Sequence, residues 1–348
     1  MRRRRFLGLC LATGGGLFKA PLGNTKSNLS VKAPLLARRL TRGMKVGVVA
    51  PSSAPFEQEV IRFALDIVES LGFIAEPGEH LFKRKGYLAG EDAERAEDFN
   101  VMFARSDIDA VFCIRGGYGA MRILPSINYD SIAANPKVLM GYSDVTALLN
   151  AIYRATGLIT FHGPMAHTTF TDYAYGSFES VLMSHQKGLN LAAPPYFEAA
   201  PGKVERENRL HTIAGGKALG HLVGGNLSLV SATLGTPYEA LLDGAVLALE
   251  DVDESPYRID RMLTHLMLAG VFERINGIVL GKFTDAKADG PSLSLGNVFA
   301  DRLGRLGIPV LRGLMIGHVP DQATIPIGAR VLLDADAQTL TTAGPYLI

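Results

Sequence analysis

Short apolar runs alternate with amphipathic stretches along the first half of the chain, and this alternation limits the folds open to it. The predicted strands cover residues 44–51, 73–77, 109–114, 137–142 and 158–161. Apolar residues at helical spacing predict helices over residues 57–71 and 91–104 and from residue 144 onward. Strand and helix in alternation predict an α/β fold with a flavodoxin-like parallel sheet that carries helices on both faces.

The loops that follow these strands are rich in glycine and polar residues. In open parallel sheets, ligands bind in the crevice at the carboxyl ends of the strands. Four loops are predicted to meet at that edge, namely Ala50–Ser53, Arg115–Gly117, Ser143 and His162–Pro164. We therefore expect a functional site there.

Composition excludes several classes of protein. Of 348 residues, 47% are hydrophobic and 20% are charged, which is typical of a packed globular chain rather than a disordered one. Five of the 35 basic residues fall in residues 1–20, which contain no acid, so the remainder holds 30 basic and 34 acidic residues. Nothing in that mildly acidic body indicates a nucleic-acid surface. Cys113 is predicted to be a buried small hydrophobe, and Cys10 belongs to the leader.

The first residues differ in kind from the rest. Arg2–Arg5 precede a moderately apolar run over residues 6–18, a pattern typical of an export signal. The segment Arg3–Leu7 resembles the core of twin-arginine signals. The run is short of the about 20 residues that span a bilayer. We predict a signal peptide and linker over residues 1–43, export to the periplasm and no stable membrane span afterwards, with a cytoplasmic location as the alternative.

The periodic pattern weakens between residues 166 and 216, which predicts a crossing between two domains. The N-terminal α/β domain is then expected over residues 44–165, and a smaller, β-rich α/β C-terminal domain over residues 217–348. The C-terminal domain is predicted to contain a glycine-rich segment at 220–229, strands at 245–250 and 277–281, helices at 257–268 and 293–306, and a β-rich tail.

Ser143 lies where a predicted buried strand turns into a helix. Such a turn presents the hydroxyl away from the sheet, and the free N–H groups of the helix's first turn can hold an anion. Catalysis is one interpretation. The other is that Ser143 and Asp144 are ordinary helix-capping residues. The Gly-x-Ser-x-Gly elbow is incomplete, because Val145 stands where its second glycine would fall.

Two further residues have contexts that suit catalysis. Glu250 ends an apolar strand, from which a carboxylate can orient an imidazole; the alternative is a solvated loop or a helix cap. His318 follows Gly317 between an apolar segment and a proline turn. A lone histidine in such a place is otherwise a satisfied structural residue.

Five motifs occur in an order and spacing that resemble the LD-carboxypeptidase family of serine peptidases, which also includes the microcin C self-immunity peptidases. They are Arg115–Gly119, Gly141–Asp144, Leu249–Asp251, Tyr257–Leu263 and Gly317–His318. The similarity spans residues 44–335. It implies a catalytic triad of Ser143 as nucleophile, His318 as general base and acid, and Glu250 as the carboxylate that orients the imidazole.

The resemblance also directs attention to the donors around the nucleophile. A tetrahedral oxyanion needs two hydrogen-bond donors, and the backbone N–H groups of Gly117 and Asp144 are the candidates. Gly116 and Gly117 allow a substrate to approach the backbone closely. Arg115 is a candidate for binding a substrate carboxylate, or alternatively for a structural salt bridge at the strand end.

The substrate that the resemblance implies is a murein tetrapeptide, cut at the L,D-amide between meso-diaminopimelate and the terminal D-alanine. It implies no metal or other cofactor, and it implies a homodimer. The segment Tyr257–Leu263 is expected to support the site or a dimer interface. Family members that recycle murein are usually cytoplasmic, so the predicted leader departs from the pattern and leaves recycling and wall remodelling both open.

Two alternative functions stay open at this point. One is a related serine peptidase with the same triad that cleaves peptidyl-nucleotide antibiotics. The other is an exported two-domain protein that binds a small ligand at the same edge without chemistry, a role that has no need of Ser143, Glu250 and His318 together.

Overall fold

Two sheets form the framework of the protein, as seen in a computed structural model that describes residues 33–184, 186 and 188–348. The strands are β1 Lys45–Val49, β2 Ile74–Pro77, β3 Ala110–Cys113, β4 Val138–Gly141, β5 Thr160–His162, β6 His211–Ala214, β7 Lys217–Asn226, β8 Val246–Val252, β9 Gly277–Thr284, β10 Val310–Arg312, β11 Ile325–Ile327, β12 Arg330–Asp334 and β13 Thr339–Thr342. Of the predicted signal peptide and linker at residues 1–43, residues 1–32, with Arg2–Arg5 and Cys10, lie outside the described residues.

The helices pack around these sheets. They are α1 Gln58–Ser70, α2 Asp92–Ala104, α3 Ala120–Ile123, α4 Tyr129–Ala134, α5 Thr146–Thr156, α6 Asp172–Phe178, α7 Leu227–Thr233, α8 Pro256–Leu268 and α9 Leu295–Leu303. In α1, the residues Ile61, Ala64 and Val68 recur at helical spacing and are buried, so one face of the helix packs on the sheet.

The first sheet confirms the predicted flavodoxin-like arrangement. Its order is β2-β1-β3-β4-β5, with all five strands parallel, and β11 adds to β5 as an antiparallel edge strand. The strand order reverses between β1 and β3, where the crevice of a doubly wound sheet opens at the carboxyl ends. β11 comes from the C-terminal part of the chain, so that part completes the first sheet.

The second sheet is mixed, with the order β13-β12-β7-β8-β9-β10-β6. Strands β7 to β10 run parallel, and β6, β12 and β13 pair antiparallel at the edges. The parallel strands β8 and β9 are buried on both faces, which explains their continuous apolar sequences. The predicted limits of the two domains remain a prediction.

Three details differ from the sequence pattern. The chain after β4 first makes a single 3₁₀ turn, Ser143–Val145, before α5 begins. The predicted crossing at 166–216 contains α6, a π-helical turn over Glu179–Met183, and strand β6. The glycine-rich segment at 220–229 forms the end of β7 and the start of α7. Short helices and edge strands carry too few periodic residues to be recognised from sequence.

The two sheets are joined by hydrogen bonds from α5. The buried amide of Asn150 donates to the carbonyl of Gly224 at 2.9 Å and accepts from the N–H of the same residue at 2.9 Å. It also donates to the carbonyl of Thr146 within its own helix, at 2.8 Å. Asn150 therefore ties the helix that follows Ser143 to the strand that runs beside β8.

Candidate active site

Ser143 occupies a strained turn at the carboxyl end of β4. Its φ is +60°, in the left-handed region that costs a residue with a side chain about 1–2 kcal/mol. Neither Ser143 nor Asp144 makes a side-chain capping bond to the helical turns that follow. The Asp144 carboxylate instead accepts hydrogen bonds from Ser52 and Ala120. Strained backbone of this kind is concentrated at functional sites, where the surrounding structure maintains it.

Asp144 is buried and fastens the turn to its neighbours. Its Oδ2 accepts from the Ser52 hydroxyl at 2.6 Å and from the Ala120 N–H at 2.7 Å. Burial raises the pKa of Asp144, and these two hydrogen bonds oppose that rise. The carboxylate thereby links the loops after β1, β3 and β4, while its own N–H stays at the first turn, where helical N–H groups lack partners within the helix.

The glycine loop after β3 lies directly against Ser143. A Cβ placed on Gly116 would be 2.8 Å from Ser143 Cβ, 3.1 Å from its Oγ and 3.3 Å from the Asp144 nitrogen. Gly117 has a φ of +105° and its N–H has no hydrogen bond to any described residue, which leaves it free to donate. The loop is held by Ser53, whose N–H donates to the Gly116 carbonyl and whose hydroxyl accepts from the Tyr118 N–H.

Glu250 and His318 form a hydrogen-bonded pair. His318 Nδ1 lies 2.8 Å from Glu250 Oε2. Glu250 is completely buried, so the solvated-loop interpretation of it is wrong, whereas the His318 side chain is 19% exposed and can be reached by a substrate. Burial alone raises the pKa of Glu250, but contact with His162 and His318 outweighs it and holds the pKa below its ordinary value.

Tyr142 connects this pair to Ser143. Its ring packs against the His318 ring with centroids 4.8 Å apart, and the next residue in the chain is Ser143. Burial, with a contribution from the charge of Glu250, raises the pKa of Tyr142 to about 12, so the phenol is neutral at physiological pH. Tyr142 thus links Ser143, its neighbour in the chain, to the ring of His318 and through it to Glu250. The hydroxyl of Ser143 has no hydrogen bond to any residue that the structure describes. In unliganded enzymes such catalytic hydrogen bonds are often long and tighten only with substrate.

Arg115 does not form the structural salt bridge at the strand end that the sequence left open as its alternative role. Its guanidinium donates to the carbonyl of Ala54 at 3.1 Å, and it makes no ion pair with the residues described here. Four of its five N–H donors therefore remain for another partner. Gly116 and Gly117 lie as predicted at the same edge.

Sequence reasoning missed the supporting residues of the site. The sequence predicts His162 at the edge of the sheet without giving it a role, yet its Nε2 lies 3.7 Å from Glu250 Oε1. The sequence predicts a helix around Asn150 but does not predict that this residue links the two sheets. Its only signal was a polar residue among apolar neighbours on an otherwise buried helix.

The segment Tyr257–Leu263, expected to support the site or an interface, is the first part of α8. Ile259 and Leu263 are buried in the second core, and Tyr257 is exposed with the Arg261 guanidinium over its ring. Within the described part of the chain, no group of three or more His, Cys, Asp or Glu residues is arranged to hold a metal ion. Cys113 is buried as predicted, and burial raises the pKa of its thiol.

The site has the parts of a serine hydrolase: a serine on a strained turn, a histidine paired to a buried carboxylate, and a free N–H beside the serine. Comparison with known proteins narrows this class. Residues 46–163 match the LD-carboxypeptidase N-terminal domain, and residues 219–333 match the LD-carboxypeptidase C-terminal domain. The chain belongs to the LD-carboxypeptidase family.

Individual relatives agree with this assignment. The chain is 39% identical over 305 residues to the probable murein peptide carboxypeptidase of Bacillus subtilis, covering 87% of this chain and 92% of that protein. It is 31% identical over 296 residues to the murein tetrapeptide carboxypeptidase of Pseudomonas aeruginosa, covering 84% and 94%. A solved structure of the microcin C7 self-immunity protein MccF in complex with aspartyl sulfamoyl adenosine superposes with a TM-score of 0.82 at 30% identity, covering 90% of this chain and all of that one.

These comparisons confirm the predicted family, fold class and enzyme class. The protein is a serine-type LD-carboxypeptidase by family, so the alternative of a binding protein without chemistry is not supported.

Proposed function

We propose that the protein hydrolyses the L,D-amide between meso-diaminopimelate and the terminal D-alanine of murein tetrapeptides, with Ser143, His318 and Glu250 as its catalytic triad. The observation that carries this proposal is the pairing of the buried Glu250 with the partly exposed His318 beside the strained Ser143 turn. The similarity to a murein tetrapeptide carboxypeptidase supports the choice of substrate.

The first half of the reaction forms an ester on Ser143. His318 Nε2 removes the hydroxyl proton as Oγ attacks the amide carbonyl, and the resulting imidazolium is stabilised by Glu250, whose Oε2 lies 2.8 Å from Nδ1. The N–H groups of Gly117 and Asp144 donate to the oxyanion, and each such donor is typically worth about 10²- to 10³-fold in rate. His318 then returns the proton to the nitrogen of the departing D-alanine.

The second half releases the tripeptide. Water replaces the departed amine, His318 takes a proton from it, and the hydroxide attacks the ester carbonyl under the same two N–H donors. Collapse of the tetrahedral intermediate returns the proton to Ser143 Oγ. The buried, ionised Glu250 keeps the imidazole in one tautomer through both halves.

Arg115 is the proposed partner of the substrate's terminal carboxylate. It follows β3 directly, one residue before the glycine loop that contacts Ser143, and most of its N–H donors are unused. A bidentate arginine suits a carboxylate, and an exopeptidase must recognise the free end of its peptide.

The experiment is to incubate the purified protein with murein tetrapeptide and measure D-alanine release, with Ser143→Ala as the control. Release by the wild type and its loss in the variant are expected. Absence of release, or equal release by both proteins, would contradict the proposal.

A second candidate substrate is a peptidyl nucleotide. The similarity to MccF, solved with aspartyl sulfamoyl adenosine, favours it. The same Ser143 chemistry would cleave its amide, so the two candidates differ only in what the pocket accepts. Comparing kcat/KM for murein tetrapeptide and for a peptidyl sulfamoyl adenosine separates them, and we expect the tetrapeptide to be preferred.

Export to the periplasm is proposed on the basis of Arg2–Arg5 and the apolar run at residues 6–18. Across the described residues, no helix is long and apolar enough to cross a membrane. Cell fractionation with intact and Arg3/Arg4-substituted leaders tests export. The proposal predicts periplasmic protein that becomes cytoplasmic on substitution, and a cytoplasmic location in both cases would refute it.

A homodimer is proposed from the family resemblance. The exposed side of α8 offers a surface for it, since Tyr257 and Leu268 lie three turns apart and are 62% and 81% exposed. Light scattering on wild type and Leu268→Glu tests the assignment. A dimer that the substitution weakens is expected, and a wild-type monomer would refute it.

A further inference from the structure

One oxygen of the buried Glu250 carboxylate has no partner. Oε2 is paired with His318, but Oε1 is buried and has no hydrogen bond to any described residue. Burying a carboxylate oxygen without a hydrogen-bond donor costs free energy, because the charge loses its hydrogen bonds to water and forms none in the protein. A second donor close to Oε1 is therefore expected.

His162 faces this oxygen. Its Nε2 lies 3.7 Å from Glu250 Oε1, its side chain is completely buried, and neither ring nitrogen has a hydrogen bond to a described residue. Two complementary polar atoms, both buried and both without partners, thus face each other at several tenths of an ångström beyond hydrogen-bond distance. A small movement satisfies both.

The backbone around His162 fixes its position. In the first sheet it lies opposite Gly141 of β4 and Ile325 of β11, and the next N–H along the chain, that of Gly163, donates to the Gly141 carbonyl. Gly225 of β7 makes room for the ring, since a Cβ there would lie 3.1 Å from His162 Cδ2. His162 therefore projects from the sheet that carries Ser143 toward the acid supplied by the other sheet.

We propose that His162 is a positioning residue that donates its Nε2–H to Glu250 Oε1 and so orients the carboxylate for His318. This inference rests on the proposed function of Glu250 in the triad. With both oxygens held, the carboxylate cannot rotate about its terminal bond, and Oε2 stays directed at Nδ1 of His318. The titratable side chains facing His162 are Glu250 and Tyr142, whose ring centroid is 5.7 Å away, with His318 beyond the carboxylate.

Two substitutions separate positioning from simple packing. His162→Gln places an amide N–H near the original Nε2, whereas His162→Leu fills a similar volume without a donor. His221→Leu is the matched control, because His221 is also a largely buried histidine with one hydrogen bond, to the Leu241 carbonyl in the second sheet. Concentrations of active enzyme are set by titration with a serine-directed inhibitor, so that losses of folded protein do not enter kcat.

In His162→Leu we expect kcat for D-alanine release to fall about 10- to 100-fold with KM unchanged, as for loss of one hydrogen bond to a charged group. The acid limb of its pH profile should move to higher pH, because the ionised carboxylate has lost a donor. His162→Gln should recover most of kcat and the original limb, and His221→Leu should leave both unchanged. Equal impairment by Gln and Leu, or a leucine variant with wild-type kcat, would overturn the inference.

A second measurement does not depend on the substrate. The low-field proton resonance of His318 Nδ1–H reports its hydrogen bond to Glu250 directly. It should shift in His162→Leu and stay near the wild-type position in His162→Gln, and an unmoved resonance in both would refute the inference. If the two variants show this pattern but the wild type releases no D-alanine, the proposed substrate fails while the role of His162 stands. If His162→Leu does not fold, His162→Asn takes its place in both measurements. The asparagine amide is shorter than that of glutamine and cannot reach Glu250 Oε1.

Discussion

Substituting Gly116 by alanine tests the placement of the glycine loop against the nucleophile. The added Cβ would lie 2.8 Å from Ser143 Cβ, well inside the 3.4 Å at which ordinary contact begins, and 3.3 Å from the Asp144 nitrogen. Ser143 must then shift by several tenths of an ångström, away from His318 or from the N–H donors. A misplacement of about 1 Å can cost about 10²-fold, and loss of an oxyanion donor about 10²- to 10³-fold. We expect kcat to fall by about 10²-fold or more.

The assay is D-alanine release from murein tetrapeptide, with unfolding by urea followed in parallel. Overpacking at Gly116 should cost about 1–3 kcal/mol of stability, which leaves the protein folded. Gly176→Ala is the matched control, because a Cβ on Gly176 of helix α6 meets nothing within 4 Å. That variant should keep full activity and gain about 0.5–1 kcal/mol. A folded Gly116→Ala enzyme with wild-type kcat would show that the loop does not lie against Ser143.

Three further predictions concern residues that position the proposed site or join the two sheets. Glu250→Gln should lower kcat on the order of 10⁴-fold. Contact with two histidines holds the pKa of Glu250 in the folded protein below its ordinary value of 4.5, so the carboxylate stabilises the fold above that pH and loses this effect as the pH falls. The free energy of urea unfolding should therefore vary less with pH below 4.5 in the variant than in the wild type. Asn150→Leu should destabilise by about 1–3 kcal/mol for each of the two Gly224 backbone groups left unpaired, measured by urea denaturation, and an unchanged midpoint would contradict the link between sheets. Ser52→Ala should cost about 1.5–3 kcal/mol at neutral pH and less in acid, since its hydroxyl stabilises the ionised Asp144; a cost independent of pH would count against this.

The first sheet could be predicted from sequence because its strands are continuous apolar runs and its helices are long and amphipathic. The parallel order then placed the loops after β1, β3, β4 and β5 at one edge, where the structure has them. Ser143 could be singled out from sequence because a continuous apolar run ends there and apolar residues at helical spacing begin. Local pattern alone could not decide between nucleophile and cap. The partners of the Asp144 carboxylate, Ser52 and Ala120, lie in other loops and could not be read from local pattern either.

Contacts between distant parts of the chain could not be predicted in the same way. Strand β11 joins a sheet whose other strands end more than 150 residues earlier, and its three residues carry no periodic signal. His162 and Glu250 are 88 positions apart and meet only because the two sheets pack with their strand ends together. In the sequence, Asn150 is one polar residue on a predicted helix, and its hydrogen bonds to Gly224 are visible only in the structure. These supporting residues act through tertiary packing, which leaves little trace in local sequence.

The most direct test of the triad is whether Ser143 and His318 act as a single catalytic unit. The measurement is kcat for D-alanine release by Ser143→Ala, His318→Ala and the double variant. Each single variant should lose on the order of 10⁶-fold, as in other serine peptidases, and the double variant should lose no more than either. Losses that multiply in the double variant, or substantial activity in Ser143→Ala, would contradict a shared role for these residues in catalysis.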